Sequence, residues 1–257
     1  MLNIIFKLKP KPIMKRICIF LAISLITFVF YGCKKDLPKK PTDKVYLLKK
    51  RIRNTGNSQA IDEYSYDTQN RLIETSFSSG VVKYIYVYDD QNRLIEVENY
   101  NATSVYSTQN YSYASNAVNI TESYYDGSTG TKKFELTGGK VSKFINPGYN
   151  ETSTYSYDAR GNVSSVFITN VVDSATWNYI YDDKKHPFSM IGALNLHVLY
   201  LEGVGTPYSN INNVVSTTQG DVKTDYVYNA DGFPVSAVFT DSANNFSYTY
   251  TYEYLIK

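Results

Sequence analysis

Along most of this chain, large and polar residues alternate one for one. The pattern runs through Tyr64-Ser-Tyr66, Tyr86-Val-Tyr88, Tyr111-Ser-Tyr113, Tyr155-Ser-Tyr157, Tyr179-Ile-Tyr181 and Tyr226-Val-Tyr228. Successive strand side chains point to opposite faces, so a period of two predicts strands with their rings on one face. The last segment is the most regular. Phe246, Tyr248, Tyr250, Tyr252, Tyr254 and Ile256 share one face, and Ser247, Thr249, Thr251 and Glu253 share the other. Eleven extended residues at ~3.3 Å each reach about 36 Å.

The aromatic pair is followed by a turn. In Tyr64-Ser-Tyr66-Asp67-Thr-Gln-Asn70-Arg71-Leu72-Ile73 and Tyr86-Val-Tyr88-Asp89-Asp-Gln-Asn92-Arg93-Leu94-Ile95, Asp opens the turn by accepting hydrogen bonds from the backbone that follows it. Asn or Gly then takes the left-handed position, and the aliphatic pair begins the returning strand. Looser copies start at Tyr111, Phe134, Tyr155, Tyr179 and Tyr226; the intervals are 21 to 25 residues until a final one of 47, about two units long. One unit is a β-hairpin, and hairpins at this period stack into an antiparallel meander. The expected fold is all-β: a curved sheet, open or partly closed into a barrel-like form, interrupted by one short helix or loop insert.

That insert is expected at about residues 189–213. Ser189 is placed to cap a short helix through Met190, Ile191, Ala193 and Leu194. Leu196 to Leu201 reads as a buried strand or helix end, and Gly203, Gly205 and Pro207 mark a loop. The insert is expected to cover an open end or edge of the sheet.

Composition sharpens the picture. The chain has 26 Tyr against 12 Phe and one Trp. Tyr suits a half-buried sheet surface, packing its ring while its hydroxyl stays wet. The net charge of +2 hides three segments. Residues 1–33 carry five basic residues and no acid; residues 34–53 carry nine basic and two acidic; the remainder carries 12 basic and 22 acidic, or −10. A domain at −10 repels phosphate backbones, which argues against nucleic acid as a partner.

Lys15-Arg16 precedes an apolar run from Ile17 to Tyr31, too short at ~1.5 Å per residue to cross a ~30 Å hydrocarbon core. Residues 1–33 therefore read as a secretion signal, with Met14 the expected start. Gly32-Cys33 resembles the lipobox of Gram-negative lipoproteins, although Phe30 and Tyr31 depart from it. The resemblance implies acylation of Cys33 and attachment to the outer membrane, on either face. Residues 34–44, with two prolines and no hydrophobic period, read as a tether, leaving 45–257 as the β-repeat domain.

The Tyr-x-Tyr-Asp-x-x-(Asn/Gly)-(Arg/Asn)-(Leu/Val) unit resembles the YD repeat of rearrangement-hotspot and teneurin proteins, which implies long curved sheets, sometimes closed as shells. A second, narrower resemblance is carried by Tyr179-Ile-Tyr181-Asp182-Asp183-Lys-Lys185-His186-Pro187-Phe188 and Asn212-Asn213-Val214. These are similar to a lipoprotein family of porin-like fold with no established activity, which implies a curved or barrel-like sheet.

No catalytic constellation, cofactor motif or metal-ligand spacing stands out. His186 reads as a turn residue and His197 as packed. Asp67, Asp89, Asp158, Asp182 and Asp231 all read as turn openers, with a calcium site at Asp182-Asp183 or Asn229-Ala-Asp231-Gly232 short of ligands. Asp173-Ser174-Ala175 and Asp241-Ser242-Ala243 resemble acceptor motifs for O-glycans on exported proteins, which puts Ser174 and Ser242 forward. The expected function is non-enzymatic: a binding or scaffold module of the cell envelope, held by its lipid anchor. Tyr248, Tyr250, Tyr252 and Tyr254 form its candidate surface for a glycan or an envelope protein. The alternatives are a polysaccharide hydrolase and an outer-membrane β-barrel.

Overall fold

The computed structural model describes residues 44–77, 80–192, 211–218 and 222–257. Cys33, the signal and nearly all of the tether lie outside these residues.

The described residues form sixteen strands. The first eight are β1 (Tyr46–Thr55), β2 (Ser58–Tyr66), β3 (Leu72–Phe77), β4 (Val82–Tyr88), β5 (Leu94–Asn101), β6 (Ser104–Ala114), β7 (Ala117–Tyr124) and β8 (Thr129–Thr137). The second eight are β9 (Lys140–Asn146), β10 (Glu151–Tyr157), β11 (Val163–Thr169), β12 (Ser174–Tyr181), β13 (Val214–Thr217), β14 (Val222–Tyr228), β15 (Pro234–Asp241) and β16 (Phe246–Ile256). Each pairs antiparallel with its neighbours in sequence, and β16 returns to pair with β1 through Tyr46↔Ile256 to Asn54↔Thr249. The sheet is a closed barrel. Closure removes both edges, which would otherwise expose unpaired backbone groups.

The aromatic face turns inward. Leu48, Tyr64, Leu72, Tyr86, Leu94, Val97, Tyr111, Val118, Ile120, Phe134 and Phe144 form one buried cluster, and Val163, Val166 and Tyr179 form a second. The outward partners are chiefly polar: Glu74, Glu96, Thr108, Thr121, Thr154, Ser165, Asn178, Ser236 and Thr251 alternate with those inward residues.

The repeat's Asp turns, opened by Asp67, Asp89, Asp158 and Asp182, lie at one end of the barrel, together with Lys44 and Lys257, while Asp126 and Asp241 stand in turns at the other end. In the repeat's turns, Asp67 Oδ1 accepts from the N–H of Gln69 and of Arg71, and Asp89 and Asp158 repeat the arrangement. Asn70, Asn92, Gly161 and Gly232 take positive φ of 63°, 60°, 94° and 83°. In the last unit the opener is Asn229, whose Oδ1 accepts from the N–H of Asp231 and Phe233. Asp231 is thus not a turn opener; it lies two residues on and holds Lys44 and the Tyr46 hydroxyl instead.

The second tyrosine of the repeat has a role that the sequence reading assigned to water. Between one hairpin and the next, backbone pairing ends early: at Glu74↔Ile85 for β3 and β4, for example. Beyond that point the Tyr88 hydroxyl donates to the Leu72 carbonyl at 2.8 Å. The same bond runs from Tyr66 to Leu48, Tyr113 to Leu94, Tyr157 to Val141, Tyr181 to Val163 and Tyr254 to Pro234, at 2.6 to 2.9 Å. In every case the carbonyl lies two residues before the last backbone pair and the tyrosine three residues after it. The basic turn residue then covers the ring: Arg71 stands 5.0 Å over Tyr88, Arg93 4.8 Å over Tyr113 and Lys140 4.9 Å over Tyr157. Where Leu136 replaces the second tyrosine, backbone pairing continues and the Leu136 N–H donates to Asn116.

The interval of 47 residues is one unit, not two. β12 and β14 are its consecutive aromatic strands, and the excess lies in the loop between Asp182 and Asn213. The described residues Pro187–Met190 are a turn in which the Ser189 hydroxyl caps nothing, and Ala193 and Leu194 of the expected helix lie outside the described residues. Leu196–Leu201 and the glycine-rich loop fall outside the described residues. Phe188, just before the insert, is buried against Tyr64 at a ring separation of 5.1 Å. Gly192 passes so close to the Gln69 carbonyl that a Cβ would lie 2.1 Å from it.

Tyr88→Phe removes one of the inter-hairpin bonds and leaves the Leu72 carbonyl without its donor. It should lower unfolding stability by about 1–2 kcal/mol, read from the urea midpoint. Tyr125→Phe, on an exposed ring, should stay within about 0.5 kcal/mol of wild type.

Candidate functional site

The barrel interior is graded from one end to the other. On β1 the inward residues pass from buried Leu48 through half-buried Arg51 to exposed Arg53. On β5 they pass from Leu94 and Val97 to Asn99 and Asn101, and on β16 from half-buried Tyr254 to exposed Phe246. The end with the repeat's Asp turns is filled with apolar side chains, and the inward residues become exposed toward the opposite end.

Two constellations stand out. The first lies at the open end, on β15, β16, β1 and β2. Phe239 and Tyr248 stack with centroids 4.5 Å apart and planes within 8°, and the Arg53 guanidinium lies 5.8 Å from the Tyr248 centroid. Tyr250 meets Tyr248 edge-on at 5.0 Å with Arg51 5.2 Å away, and Arg51 Nε and Nη2 both donate to Asp62 Oδ2, at 3.0 and 2.8 Å. Phe246 stands at the lip, 46 % exposed. Of the four tyrosines singled out in the sequence, Tyr248 and Tyr250 belong to this group. Tyr252 packs on the core, and Tyr254 is taken up by Pro234 and by Tyr46 and Phe233. A shared strand face did not reveal this division, because it depends on depth in the barrel.

A buried polar cluster lies elsewhere in the lumen. Glu122 accepts from Lys132 at 2.7 Å, Gln109 at 2.6 Å and Tyr124 at 3.1 Å. Its donors are matched, as a buried charge requires.

The second constellation clamps the insert. Asp182 Oδ1 accepts from the N–H of Lys184 and of Asn213, the Asn213 amide donates to both of its oxygens, and the Tyr228 hydroxyl donates to Oδ2. Asn162 and Asn212 bond reciprocally, with Asn162 Nδ2 donating to Asn212 at 3.0 Å and the Asn212 N–H donating back at 3.2 Å. The markers 179–188 and 212–214 therefore meet in space. Asp182 is fully engaged by protein donors. Among the described residues no group of three or more His, Cys, Asp or Glu side chains is placed to hold a metal.

His186 sits at the base of the insert, buried, with Nδ1 accepting from the Phe188 N–H at 3.2 Å. Burial, and then the charge of Arg51, push its pKa down to about 3. At the turns, the Arg93 N–H foremost, joined by the Arg93 side chain and the Gln91 N–H, holds Asp89 below the usual carboxylate range. Ser174 and Ser242 are both exposed at the open end; Ser174 begins β12 and Ser242 lies in the turn before β16.

No family model matches the chain, and no curated protein matches it. Solved structures similar to it include a porin-like protein from Bacteroides vulgatus ATCC 8482, at 12 % identity and a TM-score of 0.42, covering 82 % of this chain and 99 % of that one. Another porin-like protein, from Bacteroides uniformis ATCC 8492, gives 14 % and 0.38, with 86 % and 98 % covered. The expected barrel-like sheet is present in the structure itself. The resemblance to rearrangement-hotspot repeats gains nothing from these comparisons.

His186 generates a pH dependence with a defined sign. Its folded pKa is depressed, so neutral His186 contributes fully above the unfolded value of 6.5, and the contribution is lost as pH falls toward 3. The urea midpoint should therefore drop between pH 7.5 and 5, where the turn aspartates, held below 3.8, stay ionised. His186→Gln should flatten that drop.

Proposed function

We propose that the protein is a lipid-anchored, outer-membrane-associated barrel that stands in water and receives a ligand at its aromatic open end. The observation that carries this reading is the distribution of polarity across the wall. A bilayer-spanning barrel turns an apolar band outward and keeps a polar lumen. Here the rings turn inward, and Ser, Thr, Asn, Glu and Lys turn outward. Strand length agrees: β13 has four residues, β3 six, and β4, β9, β10, β11 and β14 seven, against the ~9–11 that a crossing strand needs.

The chain enters the barrel at Lys44, beside the Asp turns. Phe246, Tyr248 and Tyr250 lie at the opposite end of the barrel, and we infer that a dissolved glycan reaches them there. Aromatic side chains offer a flat apolar face with little entropy to lose, which suits the hydrophobic face of a sugar ring.

A second reading, a barrel that crosses the outer membrane, draws on the closed, even-stranded antiparallel order and on exposed outward residues such as Phe167, Ile180, Val227 and Val238. Cell fractionation of Cys33→Ala separates the two. A water-standing barrel should pass from the membrane to the soluble fraction once the acylated thiol is gone. Retention of Cys33→Ala in the carbonate-washed membrane would establish the crossing barrel instead.

For the ligand site, Phe246→Ala removes the exposed ring at the lip, which meets Tyr248 edge-on at 5.4 Å, and keeps both rings of the Phe239–Tyr248 stack. On a glycan array followed by titration, it should weaken binding roughly tenfold while lowering unfolding stability by no more than about 1 kcal/mol.

A further inference from the structure

We propose that Arg53 is an anion receptor built into the open end, and that the ligand class is an acidic glycan whose carboxylate it binds. The inference rests on the glycan reading above and adds the chemical selectivity.

The lumen carries three inward cations among the described residues, and two are spoken for. Arg51 is paired with Asp62, and Lys132 with Glu122. Arg53 is different: its partner is the Tyr248 ring, and it forms no ion pair among the described residues. Across β1 and β2 it faces Ala60, and across β1 and β16 it faces Tyr250, neither of which carries a charge. Asp241, the acid at the end of β15, is engaged by the N–H and the side-chain amide of Asn244.

The geometry of a guanidinium gives this a purpose. Its donors lie in the molecular plane, and its faces are the part that stacks on aromatic rings. The Tyr248 ring offers those donors no carboxylate, and no ion pair among the described residues fills the N–H edge. Phe239, Tyr248 and Arg53 follow one another across β15, β16 and β1, so two rings restrict the arginine in one direction. A carboxylate meets such an edge with two parallel hydrogen bonds, the arrangement that separates Arg from Lys. Phe246, exposed at the lip of the neighbouring strand, then offers a platform for the sugar ring that bears the carboxylate.

The test is titration of the full-length chain with oligogalacturonides, and with the same oligomers after reduction of each carboxyl to a primary alcohol. Wild type should bind the acidic form at least about tenfold more tightly. Arg53→Gln should bring that ratio close to one, and Arg53→Lys should restore it only in part. Equal binding of the two oligomers by wild type, or an acid-to-neutral ratio unchanged in Arg53→Gln, overturns the assignment of Arg53 and leaves the sugar platform standing. Binding of neither oligomer overturns both readings. Loss of selectivity together with a lowered urea midpoint in Arg53→Gln is checked with Arg53→Lys, which keeps the charge; full selectivity in that variant also overturns the two-pronged contact.

Discussion

The hydrogen bond from a tyrosine hydroxyl to a carbonyl of the preceding hairpin is the interaction on which this barrel turns. A hairpin holds itself together through its own ladder, but a meander also needs each hairpin to grip the one before it. In six of the seams backbone pairing stops short, and the ring reaches across to take the carbonyl that the ladder has left. A buried carbonyl without a donor costs more than a made bond returns, so the hydroxyl is needed where the strands part. Phe would fill the same volume and leave that carbonyl bare. This is a physical reason for a chain with 26 Tyr and 12 Phe. The Arg or Lys above the ring belongs to the same device. Arg71 and Arg93 each hold their own turn aspartate and cover the next tyrosine, so turn and seam are set by one side chain.

The inward position of those rings constrains everything else. Sixteen strands enclose a wide interior, and here large side chains fill the half nearest the Asp turns. What remains of the lumen lies at the other end, where the inward residues change to Arg, Asn and exposed aromatics. The outer wall is left chiefly to Thr, Ser, Glu and Lys, among them the outward pairs Lys50–Glu63 at 3.3 Å and Lys133–Glu135 at 2.9 Å, with a few apolar residues such as Phe167 and Val227 between them. Such pairs add little to stability in water. Their value is in keeping the surface hydrated on strands whose partners are already complete.

Much of this was legible in the residues. The alternation and the Asp-x-x-(Asn/Gly) spacing announce hairpins because both are local: one follows from strand geometry, the other from a turn that Asp67 closes within four residues. Closure was not legible. It rests on β1 meeting β16, residues at opposite ends of the domain, and nothing in a period of about 22 residues says how many hairpins complete a circle. The use of the second tyrosine was hidden for a related reason, since its acceptor belongs to the previous unit and no side chain there marks it. Asp231 was misplaced because Asp is the commoner turn opener, whereas Asn229 offers the same side-chain oxygen to the same two N–H groups. Among the aromatics of β16, the pattern placed all of them on one face correctly. Their division into seam, core and open lumen follows from the burial gradient along the barrel, which a strand pattern does not contain.

The long loop shows how such a barrel accommodates an insertion. In an ordinary unit the opener and the returning strand are joined by four residues, with Asp67 N–H donating to Arg71 and Asp67 Oδ1 accepting from the Arg71 N–H. In the sixth unit Asp182 N–H donates to Asn213 and Asp182 Oδ1 accepts from the Asn213 N–H, so the same pair of bonds is made across a separation of 31 residues. The turn is rebuilt from chain segments that are distant in sequence, and Asn162, bonded to Asn212, and Tyr228, bonded to Asp182, brace it from the two neighbouring hairpins. Tyr228 would otherwise reach for the carbonyl of a preceding strand; it reaches for Asp182 instead. The bonds that set the register of an ordinary turn are therefore kept across the longer separation.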